Sequence, residues 1–307
     1  MSNASAPTYQ AGKQSVPVAD SGASLEARAA ALQFLSRLAA EVSGGTVDLP
    51  CFPNVVIQIR KALDDPKTTT EQAVTVVGAE PRLAARLLQT ANSAAFNTTG
   101  KPLTDLRTAI TRLGRQLVQS AAMAYAVQQM KDEQSLRSIA KPMSKLWQEC
   151  ITVASICHVV ARRTKVAPDT AFLTGLLHGI GRLYIMVRSV ANGASFADDP
   201  SVMDLVAGWH PQIGKAVLEN WQFPEEMAEA IGDQLEYEPR RRHEADLTDV
   251  LIASIVLADA LKSPAPRAIA MQGISAFQSI NLNEQDCAAI LTHAEYQVGS
   301  LHDALGC

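Results

Sequence analysis

Several sequence features are scarce or missing in this chain, and each absence excludes a class of protein. Aromatic residues make up 5% of the chain and charged residues 19%, whereas hydrophobic residues reach 47%. No stretch reaches the roughly 18 uncharged apolar residues of a transmembrane helix. The first 23 residues lack the basic and apolar segments of a secretory signal. We therefore expect a cytoplasmic protein that does not associate with a membrane.

The cysteines are few and irregularly spaced. There are five of them, an odd number, and no two form a C-x-x-C pair. This pattern fits a reducing compartment better than a disulfide framework. Cys150 and Cys157 are seven residues apart, which places both on one buried face of a helix.

The charge balance gives no general attraction for nucleic acid. The net charge is −4, and binding to nucleic acid depends mainly on neutralising phosphates. Arg240–His243 is the only dense basic run, and we interpret it as a solvated loop after Pro239. No glycine-rich phosphate loop of the G-x-x-x-x-G-K type is present either. Nucleic acid is therefore not an expected partner.

The apolar residues recur at helical spacing, and no alternating run is long enough to indicate a strand. The sequence thus predicts an all-α fold. Residues 1–23 have few large apolar side chains and are predicted to form a flexible tail. Residues 24–45 follow as an amphipathic helical arm, with apolar residues from Leu25 to Val42 and an end at Gly44.

Local signals indicate where the following helices begin. Thr69 and Gln72 have the spacing of a capping box, and Pro81 suits a first helical position. Thr104 is a candidate N-cap for a long helix that runs toward Met130. Gly114 lies inside that helix, where we expect it to mark close helix packing.

Two stretches carry motifs in a recognisable order. The first contains Leu49-Pro50, Glu80–Leu83, Ala91–Ala94 and Ala109–Gly114; the second contains Leu146-Trp147, Gly175–Gly181, His210 with Gly214, Trp221–Pro224 and Asp259. Together they resemble the HDOD family, whose name means HD-related output domain. The resemblance implies a helical N-terminal subdomain at 46–130, packed on a degenerate HD-like helical bundle at 131–262. A C-terminal helical extension at 263–307 follows.

The resemblance also implies a site that has lost metal ligands. In metal-dependent HD hydrolases, a similar G-L-L-H-D-I-G run supplies a His-Asp pair, and here Gly179 replaces the aspartate. The vestigial candidates are Glu149, His178, His210, Asp233 and Asp259. Without the bridging aspartate, a two-metal hydrolytic site is hard to build. We therefore expect no catalytic residue, no bound metal and no cofactor.

The leading functional hypothesis is a non-enzymatic bacterial signal-transduction protein that acts as an output or scaffold module. Its expected partners are regulatory proteins, among them components of cyclic di-GMP signalling acting in trans, with homo-oligomerisation left open. The seam between the subdomains is the expected docking groove, into which the arm at 24–45 could bind. The alternative is a metal-dependent phosphohydrolase or phosphodiesterase with a rearranged ligand set. A transcriptional regulator would need a basic helix that the sequence does not show.

Overall fold

The computed structural model describes residues 22–45, 47, 49–50, 52–65, 67–97, 100–193, 200–238, 244–262 and 273–305. Within these ranges the chain forms thirteen α-helices and one 3₁₀ helix, and no strand. The helices are α1 Gly22–Ser43, α2 Asn54–Asp64, α3 Thr70–Gly78, α4 Pro81–Asn92, α5 Leu106–Asp132, α6 Ala140–Ala161, α7 Pro168–Leu177, α8 Ile180–Ala191, α9 Pro200–Asn220, α10 Glu225–Gly232, α11 Leu247–Lys262, α12 Ser275–Ile280 and α13 Glu284–Leu305; the 3₁₀ helix is Gln134–Ile139. The predicted all-α class is confirmed.

The helix starts follow local hydrogen bonding. The predicted capping box is present at α3, where Gln72 N–H donates to Thr69 Oγ1 and Thr69 N–H donates to Gln72 Oε1. The predicted N-cap of α5 was one residue off. Asp105, not Thr104, accepts from Thr108 N–H at 2.7 Å, since its carboxylate is the stronger acceptor for the free amides of the first turn.

Gly114 breaks α5, and the expectation of close packing at this glycine was wrong. Its φ of 71° and ψ of 175° lie in a region that is essentially restricted to glycine. A Cβ atom there would meet nothing within 4 Å, so space does not require a glycine at this position. The glycine is needed for the backbone conformation of the kink. Beyond it, the C-terminal part of α5 is buried almost throughout, from Leu117 to Val127.

The apolar run around His178 forms two helices. α7 ends at Leu177, and α8 begins at Ile180 with a hydrogen bond from Leu183 N–H to Gly179 O. The segment Pro168–Ala191 is long and apolar enough to cross a membrane by length and composition. However, 89% of its most apolar window is buried inside the protein, as expected for core helices.

Helix α6 lies at the centre of the bundle and packs against α7, α11 and α13. Helix α9 packs against both α8 and α10. Two aromatic contacts join α2 and the residues before it to the turn between α9 and α10. The rings of Phe52 and Trp221 lie 5.0 Å apart, and the Arg60 guanidinium lies 4.9 Å from the centre of the Phe223 ring. The turn includes Gln222 at a φ of 58°.

The arm packs on its own chain. α1 contacts α9, and its buried stripe consists of Ala31, Leu35, Leu38 and Val42. Glu41 Oε2 accepts from Arg188 Nη2 at 2.7 Å, which ties α1 to α8. The helix begins at Gly22, so the predicted tail at 1–23 lies outside the described residues except for its last two positions. The basic run Arg240–His243 also lies outside them.

Candidate functional site

Three of the five candidate residues line one cleft. Glu149 on α6, His178 at the end of α7 and Asp259 on α11 face a cavity of about 100 Å³. The remaining lining residues are Thr152, Val153, Arg182, Gln234, Leu235, Ile255, Ala258 and Lys262. Helices α6 and α11 and the end of α7 therefore place three of the five candidates around one cleft.

The carboxylates in this cleft are paired with cationic side chains. Lys262 Nζ lies 3.0 Å from Glu149 Oε1 and 3.1 Å from Asp259 Oδ1. Arg182 Nη1 lies 3.6 Å from Glu149 Oε2. Burial lowers the pKa of Lys262, but the hydrogen bonds to Glu149 and Asp259 outweigh that effect and raise it above its usual value. Lys262 therefore stays charged, and the network links α6, α8 and α11.

His178 is held in one orientation and is uncharged near neutral pH. Its Nδ1 lies 2.7 Å from the carbonyl oxygen of Gly175, to which it donates, and this leaves Nε2 as the lone-pair nitrogen. The residue is 4% exposed. Burial lowers the pKa of His178 to about 4, and the hydrogen bond to Gly175 only partly offsets the burial.

Gly179 is surrounded by apolar groups of α6. A Cβ atom there would lie 2.7 Å from Cys150 Sγ and 2.9 Å from Leu146 Cδ1. Gly179 also lines an apolar cavity of about 20 Å³ rather than the cleft of Glu149 and His178. The space that an aspartate side chain would need is therefore filled by neighbouring side chains.

His210 is buried beside the cleft without lining it. The residue is 0% exposed, and neither ring nitrogen has a hydrogen-bond partner among the described residues. Burial lowers the pKa of His210 well below its usual value, and the charge of Arg182 lowers it further. The imidazole of His210 is thus neutral near neutral pH.

Asp233 lies just after α10 and is partly exposed, outside the residues that line the cleft. Its neighbour Gln234 lines the cleft instead and is 1% exposed. Gln234 Nε2 donates to the carbonyl oxygens of His178, at 3.2 Å, and Ile231, at 2.7 Å. The amide therefore braces the backbone at the junction of α7 and α8.

The donor set does not fit a metal ion of the kind that HD hydrolases bind. Within the described ranges, no group of three or more His, Cys, Asp or Glu side chains is placed to hold a metal. Gly179 supplies no ligand, and Lys262 occupies the carboxylates of Glu149 and Asp259. Divalent metals need several nitrogen or oxygen donors that converge on one point.

Two residues that define this cleft were missed by the sequence analysis, Arg182 and Lys262. Lys262 had a local signal, because it follows Asp259 by three residues and the two therefore lie on one face of α11. A cation three residues from a candidate carboxylate ligand indicates an ion pair rather than a metal site. Arg182 had no such signal, because its partner Glu149 lies on a different helix.

Comparisons with known proteins agree with this architecture. Residues 49–237 match the family model of the HDOD domain. The "Uncharacterized protein" of Treponema pallidum (strain Nichols) is 23% identical over 211 residues, which are 64% of this chain and 39% of that relative. This chain therefore spans about two fifths of that relative's length.

Solved structures share the fold at low sequence identity. A "Putative metal-dependent phosphohydrolase" from Shewanella amazonensis SB2B aligns with a TM-score of 0.68 at 21% identity, covering 89% of this chain and 99% of that one. A "Putative signal transduction protein" from Marinobacter aquaeolei VT8 aligns with a TM-score of 0.58 at 21% identity, covering 91% and 66%. An HDOD domain protein with unknown function from Geobacter sulfurreducens gives 0.57 at 20% identity, covering 89% and 97%.

Proposed function

This chain belongs to the HDOD family, and from that premise we propose that it is a non-enzymatic bacterial signal-transduction protein. It acts in the cytoplasm as an output or scaffold module through contacts with regulatory proteins, which include cyclic di-GMP signalling components. The Marinobacter aquaeolei structure of similar fold carries the name of a signal transduction protein, which supports this class of role.

The observation that carries the proposal is the pairing of Glu149 with both Lys262 and Arg182. An HD hydrolase needs its carboxylates free to bind metal, and here two positively charged side chains neutralise one carboxylate. Electrostatic repulsion by these cations opposes the entry of a divalent metal ion. The cleft instead has the composition of an ion-pair network that stabilises a rigid helical scaffold.

The alternative is a metal-dependent phosphohydrolase, the activity in the name of the Shewanella amazonensis protein. It would use His178 Nε2 with Glu149 and Asp259 as a rearranged ligand set. Metal binding would require Lys262 to move away from the carboxylates of Glu149 and Asp259. This alternative therefore predicts that activity depends on His178, Glu149 and Asp259.

A metal and hydrolysis assay separates the two functions. The intact chain is purified without an affinity histidine tag, dialysed into metal-free buffer, and analysed by mass spectrometry for bound metal. Hydrolysis of cyclic di-GMP and of bis(p-nitrophenyl) phosphate is then measured with added Mn²⁺, Fe²⁺, Ni²⁺ or Zn²⁺. We expect less than one tenth of a metal ion per chain, an approximate bound for adventitious metal, and no turnover above buffer.

His178→Ala and Glu149→Gln serve as the variants, and Glu244→Gln, on an exposed ion pair with Lys165, as the matched control. Stoichiometric metal together with turnover that both cleft variants abolish, and the control retains, would establish the phosphohydrolase and refute the scaffold proposal. Unchanged background rates in all three variants support a non-catalytic role.

A further inference from the structure

The junction between α5 and α6 forms an open groove of about 370 Å³ on the surface. Its lining residues are Lys131, Asp132, Ala140, Lys141, Ser144, Lys145 and Gln148. The groove lies at the predicted boundary between the two helical subdomains and shares no lining residue with the cleft of Glu149 and His178. Both sites nevertheless use α6, because Gln148 directly precedes Glu149.

The lysines of this groove are not neutralised within the described part of the chain. Lys141 and Lys145 are exposed, and neither forms an ion pair or hydrogen bond with a described residue. Lys131 Nζ lies 3.5 Å from Gln128 Oε1, an uncharged partner. By contrast, the exposed Lys165 lies next to the carboxylate of Glu244.

The position of Lys141 on its helix adds to the positive potential. It lies in the first turn of α6, where no acidic residue is present and no side chain caps the helix. The N-terminal end of a helix carries a partial positive charge, so a lysine there is unfavourable. An anionic group in the groove would offset this repulsion. It would be attracted both by the lysines and by the N-terminal end of α6.

We propose that this groove binds an acidic segment of a partner protein. Three lysines face one carboxylate, Asp132, so the groove has a positive balance that complements Asp and Glu side chains. The Ser144 hydroxyl and the Gln148 amide supply hydrogen bonds for a peptide backbone. The inference rests on the proposed function, since it specifies a contact surface for a protein-binding module.

A nucleic acid or nucleotide fits the groove less well than a peptide. No aromatic side chain lines it, so a base has no stacking platform. No arginine lines it either, so phosphate lacks the planar two-pronged donor that it prefers. Flexible lysine side chains suit separate carboxylates along a peptide.

The test measures binding of a fluorescein-labelled peptide of alternating glutamate and alanine, about twelve residues long, to the full chain at about 50 mM salt. The reporting variant is Lys141→Glu/Lys145→Glu. Its matched control is Lys67→Glu/Lys101→Glu, which changes the net charge equally at two exposed lysines of the N-terminal subdomain. We expect the dissociation constant to rise about tenfold or more in the groove variant and less than about twofold in the control.

Equal weakening in both double variants, or no measurable binding by the wild-type chain, would overturn the proposal. Tighter binding of a labelled oligothymidylate of the same charge would assign the groove to nucleic acid and refute it. A wild-type oligomer in sedimentation that Lys141→Glu/Lys145→Glu dissociates would make the occupant a second copy, also against the proposal. None of these outcomes depends on metal content or hydrolysis, so this proposal can fail while the non-enzymatic function stands.

Discussion

A Cβ atom at Gly181 would lie 2.0 Å from the backbone carbonyl oxygen of His210, so α8 and α9 meet backbone to backbone. The backbone nitrogen of Gly214 would lie 2.8 Å from the same Cβ. Backbone atoms cannot rotate away as a side chain can. Gly181→Ala should therefore push the two helices apart and cost about 3 kcal/mol or more in the free energy of unfolding.

Gly208→Ala is the matched control for this measurement. Gly208 lies on α9, one residue before Trp209, and a Cβ there would meet nothing within 4 Å. Alanine should stabilise the helix at this site by about 0.5 to 1 kcal/mol. Urea unfolding of both variants checks the prediction, and a mild effect of Gly181→Ala would show that α8 and α9 pack less closely than described.

Restoring the aspartate of the HD motif should not restore a metal site. In Gly179→Asp the new side chain would begin against Cys150 Sγ and Leu146 Cδ1, and none of the described residues that line the adjoining apolar cavity is charged. Burial of such a group should cost about 2 to 4 kcal/mol. We expect a lower melting temperature that added Mn²⁺ or Zn²⁺ does not raise, with Gly179→Ala isolating the steric part. A metal-dependent rise specific to the aspartate variant would contradict this account.

Lys262 should be energetically coupled to Glu149. Lys262 is partly exposed, so solvent screening limits the pair, and we expect a coupling energy of about 0.5 to 1 kcal/mol. A double-mutant cycle with Lys262→Met and Glu149→Gln measures this coupling. The comparison cycle uses Lys165→Met and Glu244→Gln, a pair exposed on both sides, for which we expect about 0 to 0.3 kcal/mol. Equal values in the two cycles would contradict a special role for the cleft pair.

The buried histidines predict a loss of stability in mild acid. Burial lowers the pKa of both His158 and His178 from 6.5 to about 4. Between these values the unfolded chain binds protons that the folded chain does not, so stability is full above pH 6.5 and falls toward pH 4. Each histidine should remove roughly 2 kcal/mol between pH 8 and pH 5.

His158→Phe isolates one of these contributions. The His158 ring packs against the rings of Phe96 and Phe172, so an aromatic replacement keeps the contacts and removes the titration. His158 Nε2 lies 3.8 Å from Asp169 Oδ1. The two side chains do not form a charged pair near neutral pH, because burial keeps the imidazole neutral. Unfolding midpoints at pH 8 and pH 5 should differ less in this variant; an unchanged difference would assign the acid sensitivity to other groups.

The sequence predicted what depends on local patterns. The capping box at Thr69 and the start of α4 at Pro81 were correct because each involves residues within one turn. The HDOD resemblance was confirmed. Three of the residues that it singled out, Glu149, His178 and Asp259, line one cleft. Such motifs carry positional information that composition does not.

The remaining features depend on contacts between distant segments. The break at Gly114 requires a φ of 71°, which a glycine inside an apolar helical pattern does not reveal by itself. The pairing of Lys262 with Glu149 joins residues 113 positions apart. Asp233 and Gln234 are adjacent in sequence, and only the end of α10 decides which one faces the cleft.

The position of α11 and α13 affects how the chain can be divided. The family match ends at residue 237, whereas Asp259 and Lys262 belong to α11, and α13 covers parts of α4 and α6. A fragment limited to residues 49–237 would lose Lys262, the partner of Glu149 on α11, and would expose apolar surface that Ile290 and Leu291 of α13 help to cover. The region matched by the family model is thus smaller than the packed helical unit, and expression boundaries should include α11, α12 and α13.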